Sequence, residues 1–262
     1  MLKILRLTSD NLRNFSLFQL SKLLNKSNVQ HINANETIQS TMSKIDNIDD
    51  TSTKQTPVNQ TTKQNLDGMV KFFELLGNLK HLKRTGWVLR NVGDCETIAG
   101  HMYRMSLMTF LLDGKNDLDR VKCMELALVH DLAECIVGDI TPYCGVSKED
   151  KQKREMDAMK EICKLIEPRG EHLMELFEEY EEGQSAESKF VKDLDRLDLV
   201  MQAFEYEKRD NCIKTHQEFF DSTEGKFNHP LIIDLVNEIK AQREAAADNQ
   251  EKQSNHVSAS SS

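Results

Sequence analysis

The chain has few of the residues that interrupt helices or build sheets. Its 262 residues include only four prolines, eleven glycines and one tryptophan, and aromatics make up 6%. With little alternation of β-branched and polar residues as well, strands have no basis in the sequence. No apolar run approaches the roughly 20 residues that a membrane-spanning helix requires. Positive charge is also short: 34 Lys and Arg face 43 Asp and Glu, giving a formal net charge of −9 and a pI near 5.5. That balance argues against a nucleic-acid-binding surface, which needs clustered Lys and Arg. A small anionic substrate stays compatible, because a local site can be positive on an acidic protein. The six cysteines (Cys95, Cys123, Cys135, Cys144, Cys163 and Cys212) lack CxxC or paired spacing. They read as free thiols in a reducing compartment.

The length suits one domain of about 180 residues with extensions. Residues 1–28, "MLKILRLTSDNLRNFSLFQLSKLLNKSN", set Lys3, Arg6, Arg13, Lys22 and Lys26 against one acid, Asp10. An acid-poor amphipathic start of this kind resembles a mitochondrial transit peptide, and a merely polar extension is an equal alternative. Residues 29–64 turn to Asn, Thr, Ser, Gln and Asp and read as a disordered linker. The expected organisation is an extension over 1–65, a folded domain over 66–245 and a disordered tail over 246–262.

Within that domain the periodicity is helical, so the expected fold class is all-α, a compact multi-helix domain. "DGMVKFFELLGNLKHL" puts Met69, Phe72, Phe73, Leu76 and Leu79 on one stripe. A helix capped by Asp117 is expected to run through "DLDRVKCMELALVHDLAECIVG" and end at Gly138, and Ser147 is the expected N-cap of the next. At least seven helices follow from this reading, with irregular connections at 83–96 and 139–147. Met102, Met105 and Met108 form a stripe that belongs in a core. "FEEYEEG" reads as a solvated acidic face, and Lys151 to Arg154 is too short and too closely flanked by acids for a nucleic-acid patch.

Three fragments place polar groups on apolar helix faces: His101 in "AGHMYRM", His130-Asp131 in "VHDLAE" and Asp195 in "KDLDRLDL". Singly, each has an ordinary explanation as a hydrogen-bonded histidine or a solvated aspartate. Together, two imidazoles and two carboxylates suit a divalent metal with positions left for water or a phosphate oxygen. Glu134 follows His130 and Asp131 at i+4 and i+3, which brings it to the same helix face.

The H…HD…D pattern, carried by "GWVLRNVGDCETIAGHMYRM", "VHDLAECIVGDITP", "KFVKDLDRLDLVMQAFEYE" and "FFDSTEGKFNHP", resembles the HD-domain metal-dependent phosphohydrolases. Within them it resembles the 5′-deoxynucleotidase type of the HD domain-containing protein 2 family. The resemblance covers about residues 66–245 and implies that His101, His130, Asp131 and Asp195 bind a first cation, with Mn²⁺, Co²⁺ or Mg²⁺ as candidates. It implies catalytic roles for Glu134 and Asp139; in an alternative role these two, with the Ile140 carbonyl, hold a second cation. The implied reaction is hydrolysis of a deoxynucleoside 5′-monophosphate by a metal-activated water, with Glu134 or Asp139 handling the leaving-group proton. Trp87 matches the indole that crowds the sugar 2′ position, and the plain alternative is a core plug. The bacterial pattern has arginine just before that tryptophan, where this chain has Gly86, so Arg84 or Arg90 is the expected phosphate contact. A homodimer is implied as well. The competing readings are an HD-type hydrolase of triphosphates or cyclic nucleotides, with Lys83, Arg84, Arg90 and Arg104 as its candidate cations, and a non-catalytic metal-binding scaffold.

Overall fold

A computed structural model of the chain describes residues 58–114 and 118–260, without the side chains of 58–64 and 253–260. Residues 1–57, which hold most of the expected extension, and Asp117, the expected cap, lie outside the described residues. Ten α-helices are described: α1 Val58–Leu79, α2 Thr85–Val88, α3 Ile98–Met108, α4 Arg120–Val129, α5 Glu134–Val137, α6 Lys148–Leu165, α7 Gly170–Glu182, α8 Ala186–Arg209, α9 Gln217–Thr223 and α10 Pro230–Ser260. The only β-type pairing among the described residues is one isolated bridge, Lys83 to Thr97, so the fold is all-α. No described helix is long and apolar enough to cross a membrane.

α8 is the axis of the domain, touching α3, α4, α7, α9 and α10. Phe190, Val191, Leu194, Leu197 and Val200 are buried on it, and so are the charged Asp193, Asp198 and Glu207. Ser185 caps its start by accepting from the Ser188 amide at 3.0 Å. Ser147 caps α6 in the expected manner, accepting from the Asp150 amide at 3.1 Å. Met102 and Met105 are buried and Met108 packs against the same core. The acidic stretch is two-sided: Phe177 and Tyr180 are buried while Glu178 and Glu182 face solvent. Phe73 departs from its stripe, standing 64% exposed on the outer face of α1.

Three boundaries differ from the sequence reading. α1 starts at Val58, inside the segment read as linker, because nothing in "VNQTTKQN" stops a helix that the following apolar turns stabilise. α10 continues to Ser260, through the segment read as a tail. Residues 241–252, "AQREAAADNQEK", lack an apolar stripe but are rich in strong helix formers. They are also docked: Gln250 Nε2 donates to the Asn211 carbonyl at 2.6 Å, and Ala246 packs beside the Trp87 cluster. A bidentate, buried pair of Arg243 with Glu207, 2.7 Å at both oxygens, fastens α10 to α8. The cap of α4 is Asp119, which accepts from the amides of Val121 and Lys122 at 2.8 and 3.2 Å.

α1 lies so close to the end of α6 that a Cβ on Gly68 would run into the Leu165 carbonyl, whereas one on Gly77 meets nothing within 4 Å. Gly68→Ala is therefore expected to destabilise by about 1–3 kcal/mol. Gly77→Ala, which only improves helix propensity, is expected to stabilise by up to about 1 kcal/mol. Urea melts of the two variants against the parent check both signs.

Candidate metal centre

The expected single helix through residues 117–138 is broken where its chemistry begins. After α4 the amides of Leu132, Glu134, Cys135 and Ile136 bond to carbonyls three residues back, at 2.9 to 3.2 Å, and i→i−4 bonding returns only at Val137 and Gly138. Gly138 then ends α5 with φ +79°, a conformation that favours glycine. His130 and Asp131 thus come from a tightened turn between α4 and α5 and Glu134 from the start of α5, while α3 brings His101 and α8 brings Asp195.

His101 is fully buried, and its Nδ1 donates to Asp198 Oδ2 at 2.6 Å. This turns Nε2 toward Asp195 Oδ1 at 3.3 Å and Asp131 Oδ2 at 3.8 Å. His130 is 5% exposed, and its Nδ1 donates to the Ala127 carbonyl at 3.0 Å. Its Nε2 faces Asp131 Oδ2 at 3.2 Å. Neither Nε2 makes an aligned hydrogen bond. One donor atom from each of His101, His130 and Asp131 lies within 4.8 Å of the other two. Two buried imidazoles with engaged Nδ1 atoms, aiming Nε2 at shared carboxylates, form a donor set that fits a divalent cation.

The charges fit as well. Burial opposes ionisation of Asp131, but His130, Arg84 and His101 outweigh it and hold the carboxyl far below its usual range. Asp195 is depressed in the same way, burial being overcome by His101, His130 and Arg84, and the Tyr180 hydroxyl donates to it at 3.5 Å. Glu134 goes the other way. It is 3% exposed, its Oε2 has no partner, and burial together with Asp131 and Asp139 raises its pKa well above normal. Lys151, at the start of α6, works against that shift from outside the cluster.

Asp139 fastens the loop after α5 to α2: its Oδ2 accepts from the Thr85 amide at 2.7 Å and its carbonyl from Thr85 Oγ1 at 2.8 Å. Ile140 follows with a buried side chain. Beside this loop opens a cavity of about 410 Å³, lined in part by Arg84, Trp87, Arg90, Asp139, Tyr143 and Phe219. Trp87 is both core plug and cavity wall. It is 1% exposed, its Nε1 donates to Glu96 Oε1 at 2.9 Å, and it packs against Tyr206 and Phe219 with ring centroids 5.1 and 4.3 Å away.

The two arginines expected at phosphate are both engaged. Arg84 sits among carboxylates, with Nη1 3.3 Å from Asp131, Nη2 3.9 Å from Asp195 and Nε 4.0 Å from Glu96. Arg90 chelates Glu218, with Nη2 to Oε2 at 2.7 Å, and lies over the rings of Phe219 and Tyr143. A Cβ in place of the Gly86 hydrogen would meet only Phe219, at 3.9 Å.

Sequence reasoning missed Asp198, Glu96 and Tyr180, and offered Arg104 only as a candidate cation of the triphosphate reading. Asp198 is fully buried between His101 and Arg104, and Arg104 also donates to Gln202 and Glu205 at 2.8 and 2.7 Å. "DLDRLD" carries three aspartates within six residues, and on a helix buried on several sides their spacing does not say which one meets the histidine.

The HD-domain family profile matches residues 76–233, which include every group of the centre. This chain belongs to the HD-domain family. It is similar to the 5′-deoxynucleotidase HDDC2 of Homo sapiens, with 50% identity over 177 residues, 67% of this chain and 86% of that protein. HDDC2 of Bos taurus is 46% identical over 190 residues, 72% of this chain and 92% of the relative. Among solved structures, a protein of Pyrococcus horikoshii OT3 superposes with a TM-score of 0.55 at 31% identity, over 65% of this chain and 97% of that one. The match runs from the last turn of α1 to the start of α10, and the rest of both helices lies outside it.

Without metal, burial and Arg84 oppose protonation of His101, but Asp195 and Asp198 prevail and raise its pKa to about 9. Below that value a cation must displace a proton, so binding weakens as pH falls from 9. Calorimetric titration of Mn²⁺ into chelator-stripped protein at pH 7, in buffers of different ionisation enthalpy, is expected to show about one proton released per ion. Asp198→Ala, which removes the acceptor that orients His101, is expected to weaken Mn²⁺ binding by about 10- to 100-fold.

Proposed function

We propose that this HD-domain protein is a metal-dependent 5′-deoxynucleotidase that releases phosphate from deoxyribonucleoside 5′-monophosphates. The observation that carries the reading is the pair of buried, unpartnered Nε2 atoms of His101 and His130 beside Asp131. Relatives named 5′-deoxynucleotidase, 46 to 50% identical, support the substrate class. In this reading His101, His130, Asp131 and Asp195 hold the cation, Mn²⁺, Co²⁺ or Mg²⁺. When bound, a cation here supplies Lewis acidity to a phosphate oxygen and lowers the pKa of a water.

The chain's own residues do the rest. Water adds to phosphorus and gives up a proton to a carboxylate of the site, the bond from phosphorus to the 5′ oxygen breaks, and the departing oxygen takes a proton in turn. Glu134, whose pKa is pushed upward by burial and by Asp131 and Asp139, is the group suited to give it. Asp139, tied to α2 by Thr85, holds the loop against the cavity and takes part with Glu134 in handling the proton. In an alternative role Glu134, Asp139 and the Ile140 carbonyl hold a second cation. Trp87, fixed by Glu96, presents a rigid wall to the sugar and disfavours a 2′ hydroxyl. Arg84 lies beside Asp131 and Asp195, where a phosphate would approach the cation. A homodimer, a folded domain over about 66–245 and an intracellular site of action, cytoplasmic or mitochondrial by way of residues 1–28, complete the proposal.

Phosphate release by the full chain from dAMP, AMP and dATP, with each cation added to chelator-stripped protein, tests it. Release from dAMP well above AMP and dATP is expected, with losses of at least about 100-fold in Asp131→Ala and Glu134→Ala. No release from any monophosphate with any cation would overturn the reading.

A further inference from the structure

A phosphomonoester dianion needs cations in addition to the metal, and the two arginines nearest the centre are largely neutralised. Arg84 is shared among Asp131, Asp195 and Glu96, and Arg90 is chelated by Glu218. Two further cations line the same cavity, Arg196 and Lys226. Arg196 follows Asp195 directly on α8. Its Nη1 donates to the Lys192 carbonyl at 3.0 Å and to Asp193 at 3.3 Å, and Nε and Nη2 have no acceptor among the described residues. Lys226 is exposed at the cavity rim and has no carboxylate within 4.0 Å among the described residues.

One buried carboxylate holds both cations to that wall. Asp193, fully buried, accepts from the amides of Asn228 and His229 at 2.7 Å each and from Asn228 Nδ2 at 3.2 Å, besides Arg196. It thereby ties the loop carrying Lys226 to the helix that carries Asp195. Asp193 meets Arg196 through Nη1 alone, whereas Glu218 meets Arg90 through both Nε and Nη2. The cavity wall next to the centre therefore holds one unpaired ammonium and one guanidinium with free nitrogens, placed by a fixed anchor.

We propose that Lys226 and Arg196 form a phosphate clamp, holding the dianion of the substrate and the released orthophosphate beside the metal ligands. The inference rests on the deoxynucleotidase reading for its substrate and not for its anion. A guanidinium offers two parallel donors and an ammonium a mobile third, which suits a tetrahedral phosphate.

Two ligands separate the clamp from its alternatives: inorganic phosphate and deoxyadenosine, each titrated calorimetrically into Mn²⁺-loaded full-length protein. Lys226→Gln and Arg196→Gln are each expected to weaken phosphate binding by about tenfold. Deoxyadenosine and Mn²⁺ affinities are expected to stay within about twofold in both variants. Arg196→Lys is expected to recover part of the loss. In turnover, KM for dAMP is expected to rise by a similar factor. Unchanged phosphate affinity in both variants, or weakened deoxyadenosine binding in place of phosphate binding, overturns the clamp. If Arg196→Gln fails to fold for want of its Asp193 contact, Lys226→Gln, on an exposed loop residue, decides alone. A parent protein that binds phosphate through these residues yet hydrolyses no monophosphate would sink the deoxynucleotidase reading and leave the clamp standing.

Discussion

The structure turns on the cost of burying carboxylates. Asp131, Asp195 and Asp198 come from two parts of the chain to within 3.8 Å of two imidazoles, and Glu134 is buried one turn beyond Asp131. Ionised groups placed there destabilise the fold unless each finds a compensating charge or donor. The chain compensates unevenly. Asp198 is satisfied by His101 and Arg104, and Asp131 and Asp195 lean on Arg84 and the imidazoles. Glu134 is compensated least: burial, Asp131 and Asp139 raise its pKa against the pull of Arg84 and Lys151. The two Nε2 atoms remain facing the carboxylates with no aligned partner, which is why the arrangement suits a dication.

Helix α8 makes that concentration of charge tolerable. It carries Asp193, Asp195 and Asp198 in six residues, and each meets a different neighbour: the loop before α10, the centre, and the outer side of His101. The same helix buries Phe190, Leu194, Leu197 and Val200, so it is fixed on several sides and cannot shift to relieve charge. At its far end the Glu207–Arg243 pair fastens α10, and α9 lies between them as the wall that supplies Phe219 to the cavity. Rigidity of this kind holds functional groups in place at the expense of burying ion pairs, whose net contribution to stability is small.

The helical fold and the candidate donor residues were legible because each rests on local pattern. Ser147 caps α6, Met102 and Met105 fall into the core, and His101 and His130 stand out as polar groups in apolar stretches. The break after Val129 was less legible, because residues 130–137 fit an unbroken apolar periodicity as well as a tightened turn. The helical end of the chain was hidden for the opposite reason. Residues 246–252 have no apolar stripe, and their contacts with Asn211 and the Trp87 cluster lie far away in sequence.

By itself the sequence determined which side chains could form a divalent-metal centre, since residue type fixes ligand chemistry, and it determined the all-α class, since spacing fixes which residues share a helix face. Only the tertiary structure decided their partners. It assigned Asp198 rather than Asp193 to His101, set Arg84 among the carboxylates, gave Arg90 to Glu218, and left Lys226 unpaired at the cavity. The physical reason is that charge compensation acts through space over a few ångströms, between residues as much as 128 positions apart in the chain. No local pattern records that distance.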